Sequence, residues 1–297
     1  MNIPQSIAFV GLSGAIADHA QLDRAAAYFN SHGLLVSSPE ATWSSHQRFA
    51  GTDEARLEAL HTVVADPSID IVMSARGGYG LSRLLHKIKW KHLAKSGKRF
   101  VGYSDFTALN LGLLAQTGAI SWQGPSAVSF GAQQISSVTE EHFWTAMSSD
   151  TFDLTIKAAK QPKVDVTGTL WGGNLAMIGG LMGTPYMPNI KKGILFLEDV
   201  GEHPYKIERL LWQLHHAGIL EKQRAIVLGE FNDYKLTAND NGYDFDGMVD
   251  YMRKQIKTPI LTGLQHGHGA SQLTLPVGAK ATLQSQRGGY TLSVLAG

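Results

Sequence analysis

The sequence predicts an α/β protein, with a doubly wound parallel sheet in its first part and an α+β or barrel-like arrangement in its second. Short apolar runs alternate with helically periodic segments over residues 1–130. Glycine-rich turns follow two of those runs, and beyond residue 165 the regular alternation gives way to Gly-punctuated strands.

Taken in order, residues 7–10 read as a strand, 21–32 as a helix and 34–36 as a second strand. A helix over 53–65 follows, with Leu57, Leu60, Val63 and Val64 at helical spacing, then a strand over 69–73. The pattern continues with a helix over 81–88, a strand over 100–102 and a helical run over 106–115. Residues 131–165 are looser and polar, with one helix near 140–147, and read as a connection between domains 1–130 and 166–297. The second domain contributes strands at 193–197 and 225–229, a helix over 207–217, and a strand pair over 279–295.

Composition narrows the chemistry. A net charge of +1 on 297 residues gives no reason to expect a polyanionic partner, so nucleic acid is not expected. The absence of cysteine excludes disulfides, thiolate nucleophiles and Cys-ligated metals, leaving an oxygen or a lysine as any nucleophile. No apolar stretch approaches the roughly 20 residues of a membrane span, and residues 1–12 lack the features of a signal peptide, so no membrane association and a cytoplasmic location are expected.

Four segments carry candidate chemistry. In Gly102-Tyr103-Ser104-Asp105 a serine sits between a strand and a helix start, as in the nucleophile turn of hydrolases; the alternative is a helix N-cap, since Phe106 stands where the second glycine of G-x-S-x-G would fall. In Arg76-Gly77-Gly78-Tyr79-Gly80 the spacing fits neither a dinucleotide fingerprint nor a P-loop. Its backbone N–H groups, that of Gly78 among them, could supply one donor of an oxyanion hole with the N–H of Asp105 after Ser104 as the other; the alternative is a tight turn with Tyr79 packed on a neighbour. Glu198, Asp199 and Glu202 follow an apolar strand, and Glu198, abutting that strand, is the acid best held to orient a histidine. Gly267-His268-Gly269, preceded by His266, suits an imidazole that approaches a serine across a domain boundary; no metal-site spacing accompanies the pair.

With Arg48-Phe49-Ala50-Gly51-Thr52, Gly124-Pro125, Gly168-Thr169-Leu170-Trp171-Gly172-Gly173-Asn174-Leu175, Gly183-Thr184-Pro185, Glu202-His203-Pro204-Tyr205 and Leu275-Pro276-Val277-Gly278, these segments occur in an order that resembles the murein tetrapeptide L,D-carboxypeptidase family. These are serine peptidases related to the microcin C immunity proteins. The resemblance covers nearly the whole chain. It implies a flavodoxin-like N-terminal domain, a smaller barrel-containing C-terminal domain, and an active site in the cleft between them.

On this chain the implied triad is Ser104, Glu198 and His268. His268 is preferred to His266 by glycine register, with Glu202 the alternative to Glu198. Arg76 is the candidate for a substrate carboxylate, and Trp171 and Asn174 for lining the cleft. The implied activity is release of the terminal D-Ala from murein tetrapeptides in peptidoglycan recycling, without metal or cofactor, by a homodimer. Hydrolysis of peptidyl or aminoacyl nucleotides and non-catalytic binding of a small molecule are the alternatives; the insertion expected of the former is not evident.

Overall fold

The computed structural model describes residues 3–295. The chain runs β1 (Ser6–Val10), α1 (Ala20–Ser31), β2 (Leu35–Val36), α2 (Asp53–Ala65), β3 (Ile71–Ser74), α3 (Trp90–Lys95), β4 (Arg99–Val101), α4 (Thr107–Thr117), β5 (Ser121–Gln123), α5 (Ala127–Phe130) and α6 (Ser137–Ser148). It continues with β6 (Thr151–Lys157), β7 (Asp165–Asn174), α7 (Leu175–Leu181), β8 (Ile194–Val200), α8 (Pro204–His216), β9 (Ala225–Asn232), α9 (Phe245–Gln255), β10 (Ile260–Leu261), β11 (Leu275–Val277), β12 (Lys280–Gln286) and β13 (Gly289–Leu295).

The first sheet has the order β11-β5-β4-β3-β1-β2, parallel throughout except for β11. All residues of β1 and β3 are buried, as expected of strands covered by helices on both faces. Thr52 caps α2 by accepting the Ala55 N–H at 3.2 Å, and Asp53 and Glu54 place negative charge in its first turn. The helix expected over 81–88 is instead two 3₁₀ turns, Leu81–Arg83 and Leu85–Lys87. Leu81, Leu84, Leu85 and Ile88 still bury one apolar face, which is what the helical spacing had detected.

The second sheet is mixed, in the order β10-β9-β8-β7-β12-β13-β6; β7 to β10 are parallel and β12, β13 and β6 antiparallel. It curls until its edges meet. Beyond β6, the Gln161 amide donates to Thr262 Oγ1 at 3.0 Å and accepts the Thr262 N–H at 2.8 Å, just past β10. The barrel-like expectation therefore corresponds to a curled sheet stitched at its seam by side chains. β6 lies within the segment read as a connection and forms an edge of this sheet, its alternating burial facing Leu154 and Ile156 inward.

Two features lock the sheets together. β11 leaves the second half of the chain to pair antiparallel with β5, aligning Pro276 with Trp122 at a sheet edge, where a residue without an N–H is tolerated. At the tip of β7, the Asn174 N–H donates to Thr107 Oγ1 at 3.1 Å, and the same hydroxyl accepts from Gln123 Nε2 at 2.8 Å. The carboxyl end of β7, and with it that of its neighbour β8, is thereby set against the start of α4.

Candidate active site

β4 ends at Val101, and Gly102 and Tyr103 lead into a 3₁₀ turn, Ser104–Phe106, that opens α4. Ser104 has φ +60°, a left-handed backbone that costs a non-glycine residue free energy and is typical of a side chain held up at a sharp strand-to-helix turn. The N-cap positions of the turn and of α4 are Tyr103 and Phe106, so Ser104 does not serve as the cap of either. A Cβ on Gly77 would lie 2.9 Å from Ser104 Cβ and 3.0 Å from its hydroxyl, so only glycine lets the Arg76–Gly80 loop close over the serine. Asp105 is buried, with its carboxylate accepting from Ser13 Oγ at 2.5 Å and Leu81 N–H at 2.9 Å. Burial pushes its carboxyl above the usual range, against the hydrogen bonds that favour the charge. It straps the serine turn to its neighbouring loops.

Glu198 lies at the carboxyl end of β8, completely buried. Its Oε2 meets His268 Nδ1 at 2.8 Å, an acid–imidazole pair with the histidine's other nitrogen, Nε2, on the far side of the ring. Burial alone would lower the His268 pKa; the hydrogen bond and charge of Glu198, aided by the charges of Asp199 and Asp233, outweigh it and raise the net value. Tyr103, next to Ser104, packs its ring on His268 with centroids 4.8 Å apart, which brings the serine turn and the histidine turn together. Burial, then the Glu198 charge, raises the Tyr103 pKa, while a hydrogen bond with Ser129 and the Arg76 charge oppose this.

The two neighbours left as alternatives sit in different surroundings from His268 and Glu198. His266 is wholly enclosed, with Nδ1 2.9 Å from the Leu273 carbonyl and its ring edge-on to Phe196, and burial lowers its pKa. Glu202 is partly exposed and paired with Lys206, on the first turn of α8, at 3.2 Å. Arg76 is exposed, donates from Nη1 to the Ala15 carbonyl at 2.6 Å, and lies close enough to Tyr103 for its charge to be felt there. Gly78, beside the Gly77 contact with the serine, has φ +105°.

Trp171 does not line a cleft: it is fully buried, with its indole N–H on Gln223 at 3.0 Å. Asn174 is likewise committed to structure. It caps α7 through the Met177 N–H and donates to Asp199 Oδ1, each at 3.0 Å. Asp199 takes hydrogen bonds from Asn174, Ala176 and Val200; burial raises its carboxyl to about 6. A cavity of about 190 Å³ adjoins the serine and histidine turns and is lined by Tyr103, Ser129, Gln134, Thr139, Gly267 and Gln272. A larger, shallow depression of about 570 Å³ lies away from them, over β6, β12 and β13. Sequence reasoning missed Glu230 on β9, beside the histidine turn; a single carboxylate after Gly229 has no local pattern to announce it.

Fold and site together define a two-sheet α/β protein whose strand ends converge on a strained serine and a carboxylate-bound histidine. Residues 7–124 match the model of the LD-carboxypeptidase N-terminal domain and residues 167–283 that of the LD-carboxypeptidase C-terminal domain. The chain belongs to the LD-carboxypeptidase family of peptidases. It is similar to a murein tetrapeptide carboxypeptidase of Pseudomonas aeruginosa, 30% identical over 291 residues that cover 95% of this chain and 94% of the relative. It is 28% identical to the microcin C7 self-immunity protein MccF of Escherichia coli over 88% of this chain and 84% of that one. The crystal structure of a muramoyltetrapeptide carboxypeptidase from Oxalobacter formigenes superposes with a TM-score of 0.93 at 43% identity, covering 97% of this chain and 98% of the other. Among the described residues, no helix is long and apolar enough to cross a membrane.

Proposed function

We propose that this protein is a serine carboxypeptidase that cleaves the L,D peptide bond releasing the terminal D-Ala of murein tetrapeptides, as a cytoplasmic step of peptidoglycan recycling. The observation that carries the reading is the buried Glu198–His268 pair facing a turn whose serine is held at positive φ. His268 takes the Ser104 proton at Nε2, and Ser104 Oγ attacks the carbonyl carbon of the scissile bond. Glu198 holds the ring through Nδ1 and stabilises the imidazolium, which then protonates the departing D-Ala amine. Backbone N–H groups of Gly78 and Asp105 are the proposed oxyanion donors, and water in turn releases the acyl group from Ser104. Arg76, exposed above the serine turn, is the proposed partner of the terminal carboxylate. The names of similar proteins support the murein substrate, and the proposed assembly is a homodimer.

The test is incubation with free murein tetrapeptide, with D-Ala release followed by chromatography and an aminoacyl-nucleotide analogue as a parallel substrate. D-Ala release by the wild type and a loss of about 10⁴-fold or more in Ser104→Ala are expected. Release by Ser104→Ala at the wild-type rate would overturn the nucleophile, and cleavage of the nucleotide analogue alone would overturn the substrate.

A further inference from the structure

β8 and β9 pair in register up to Leu197 with Leu228, and again from Asp199 with Phe231. Between these pairs β9 carries one residue more than β8, so Gly229 and Glu230 together face Glu198. Such a bulge re-aims the side chain it carries. Here it delivers Glu230 to the segment bearing the histidines: the Glu230 N–H donates to the His266 carbonyl at 2.9 Å, and the Gly269 backbone donates to the Glu230 carboxylate.

The fit around this carboxylate is close. A Cβ on Gly269 would fall 1.5 Å from Glu230 Oε2, and one on Gly267 would lie 3.0 Å from Glu230 Cβ and 3.2 Å from Glu198 Cβ. The Gly267-His268-Gly269 turn is thus gripped from two strands, by Glu198 through the imidazole and by Glu230 through the backbone. Half-buried, Glu230 feels both Glu198 and His268: burial and the Glu198 charge push its carboxyl upward, while the Gly269 bond and the His268 charge favour its charged form.

We propose that Glu230 is a second positioning carboxylate for His268, fixing the turn that carries it and adding negative charge beside the ring. The proposal deepens the serine-peptidase reading and rests on it. The other groups facing His268 are Glu198 and Asp199 from β8, Asp233 past the end of β9, Tyr103 from the serine turn and His266 on its own segment. None of these bonds the turn's backbone as Glu230 does.

The test compares full-length wild type with Glu230→Gln, which keeps an acceptor for the Gly269 N–H but removes the charge, and with Glu230→Ala. His268 is titrated by NMR through its Cε1–H signal, assigned by its loss in His268→Gln. Removing the charge destabilises the imidazolium, so the His268 midpoint and the acid limb of kcat/KM move to lower pH in Glu230→Gln. Glu230→Ala, which also loses the backbone grip, lowers kcat by about tenfold with a smaller change in KM. An unchanged His268 midpoint in Glu230→Gln overturns the proposal, whatever its activity, because a merely structural residue would not move it. If the wild type releases no D-Ala, the murein reading fails while the titration still decides the role of Glu230.

Discussion

Glu198 Oε2 and His268 Nδ1 are 2.8 Å apart, and the carboxylate is entirely shielded from solvent. A buried acid in this position both fixes the imidazole orientation and favours the tautomer that leaves Nε2 free to accept a proton. Glu198→Gln preserves shape but permits the wrong tautomer. Its kcat for the proposed peptidase reaction is expected to fall about 10³- to 10⁴-fold, with the circular dichroism spectrum unchanged.

The same pair dictates a pH dependence whose two faces run in opposite directions. His268 titrates above its ordinary 6.5, because Glu198, Asp199 and Asp233 outweigh the lowering caused by burial. A raised folded value means that its ionisation stabilises the fold fully below the unfolded pKa, and that this contribution is lost as pH rises through the folded one. The proposed base catalysis needs the neutral ring, so activity is expected to rise over that same interval. The acid limb of kcat/KM is expected above 6.5, and the stability difference between wild type and His268→Gln, from urea denaturation, should shrink as the limb rises.

Ser104 holds its left-handed backbone at a conformational cost. Ser104→Gly is therefore expected to abolish activity while raising unfolding stability by about 1 kcal/mol in urea titrations. A destabilised Ser104→Gly variant would show that the turn is not strained.

Gly77→Ala places a methyl group 2.9 Å from Ser104 Cβ. The expected result is a loss of at least tenfold in kcat, since small misplacement of the proposed nucleophile is amplified in rate. A thermal midpoint within a few degrees of wild type would locate the effect in the turn rather than in the fold.

Asp199 accepts from three N–H donors. Asparagine would turn an NH₂ group toward at least one of them, so Asp199→Asn is expected to destabilise the protein by about 1–3 kcal/mol near neutral pH. Asp199→Ala, which leaves the donors of Asn174, Ala176 and Val200 without a partner, should lie at or above the upper end of that range.

Much of this arrangement was legible in the chain because parallel sheets advertise themselves. Residues 7–10 and 71–73 are apolar runs covered on both faces, and glycines mark the turns, Gly102 before Ser104 and Gly267 and Gly269 on either side of His268. The roles of Trp171, Asn174 and Glu230 were not legible, for different reasons. Trp171-Gly172-Gly173 looks like a ligand-facing turn, yet the glycines are there for close strand contact, since a Cβ on Gly172 would meet the Phe196 carbonyl at 1.8 Å. Glu230 depends on a bulge between strands whose register no local pattern encodes. β11 was hidden for a similar reason: three residues around a proline carry too little periodicity to reveal that they join the other sheet.

That crossing of β11 sets a timetable for synthesis. The sheet that presents Ser104 has an open edge at β5 until residue 277 has left the ribosome, more than 150 residues after β5 itself. The half that presents Ser104 is thus completed only by a strand from far along the chain. Until then the β5 edge is a bare template for foreign strands, so a chain broken off before β11 is expected to aggregate rather than persist as a folded half.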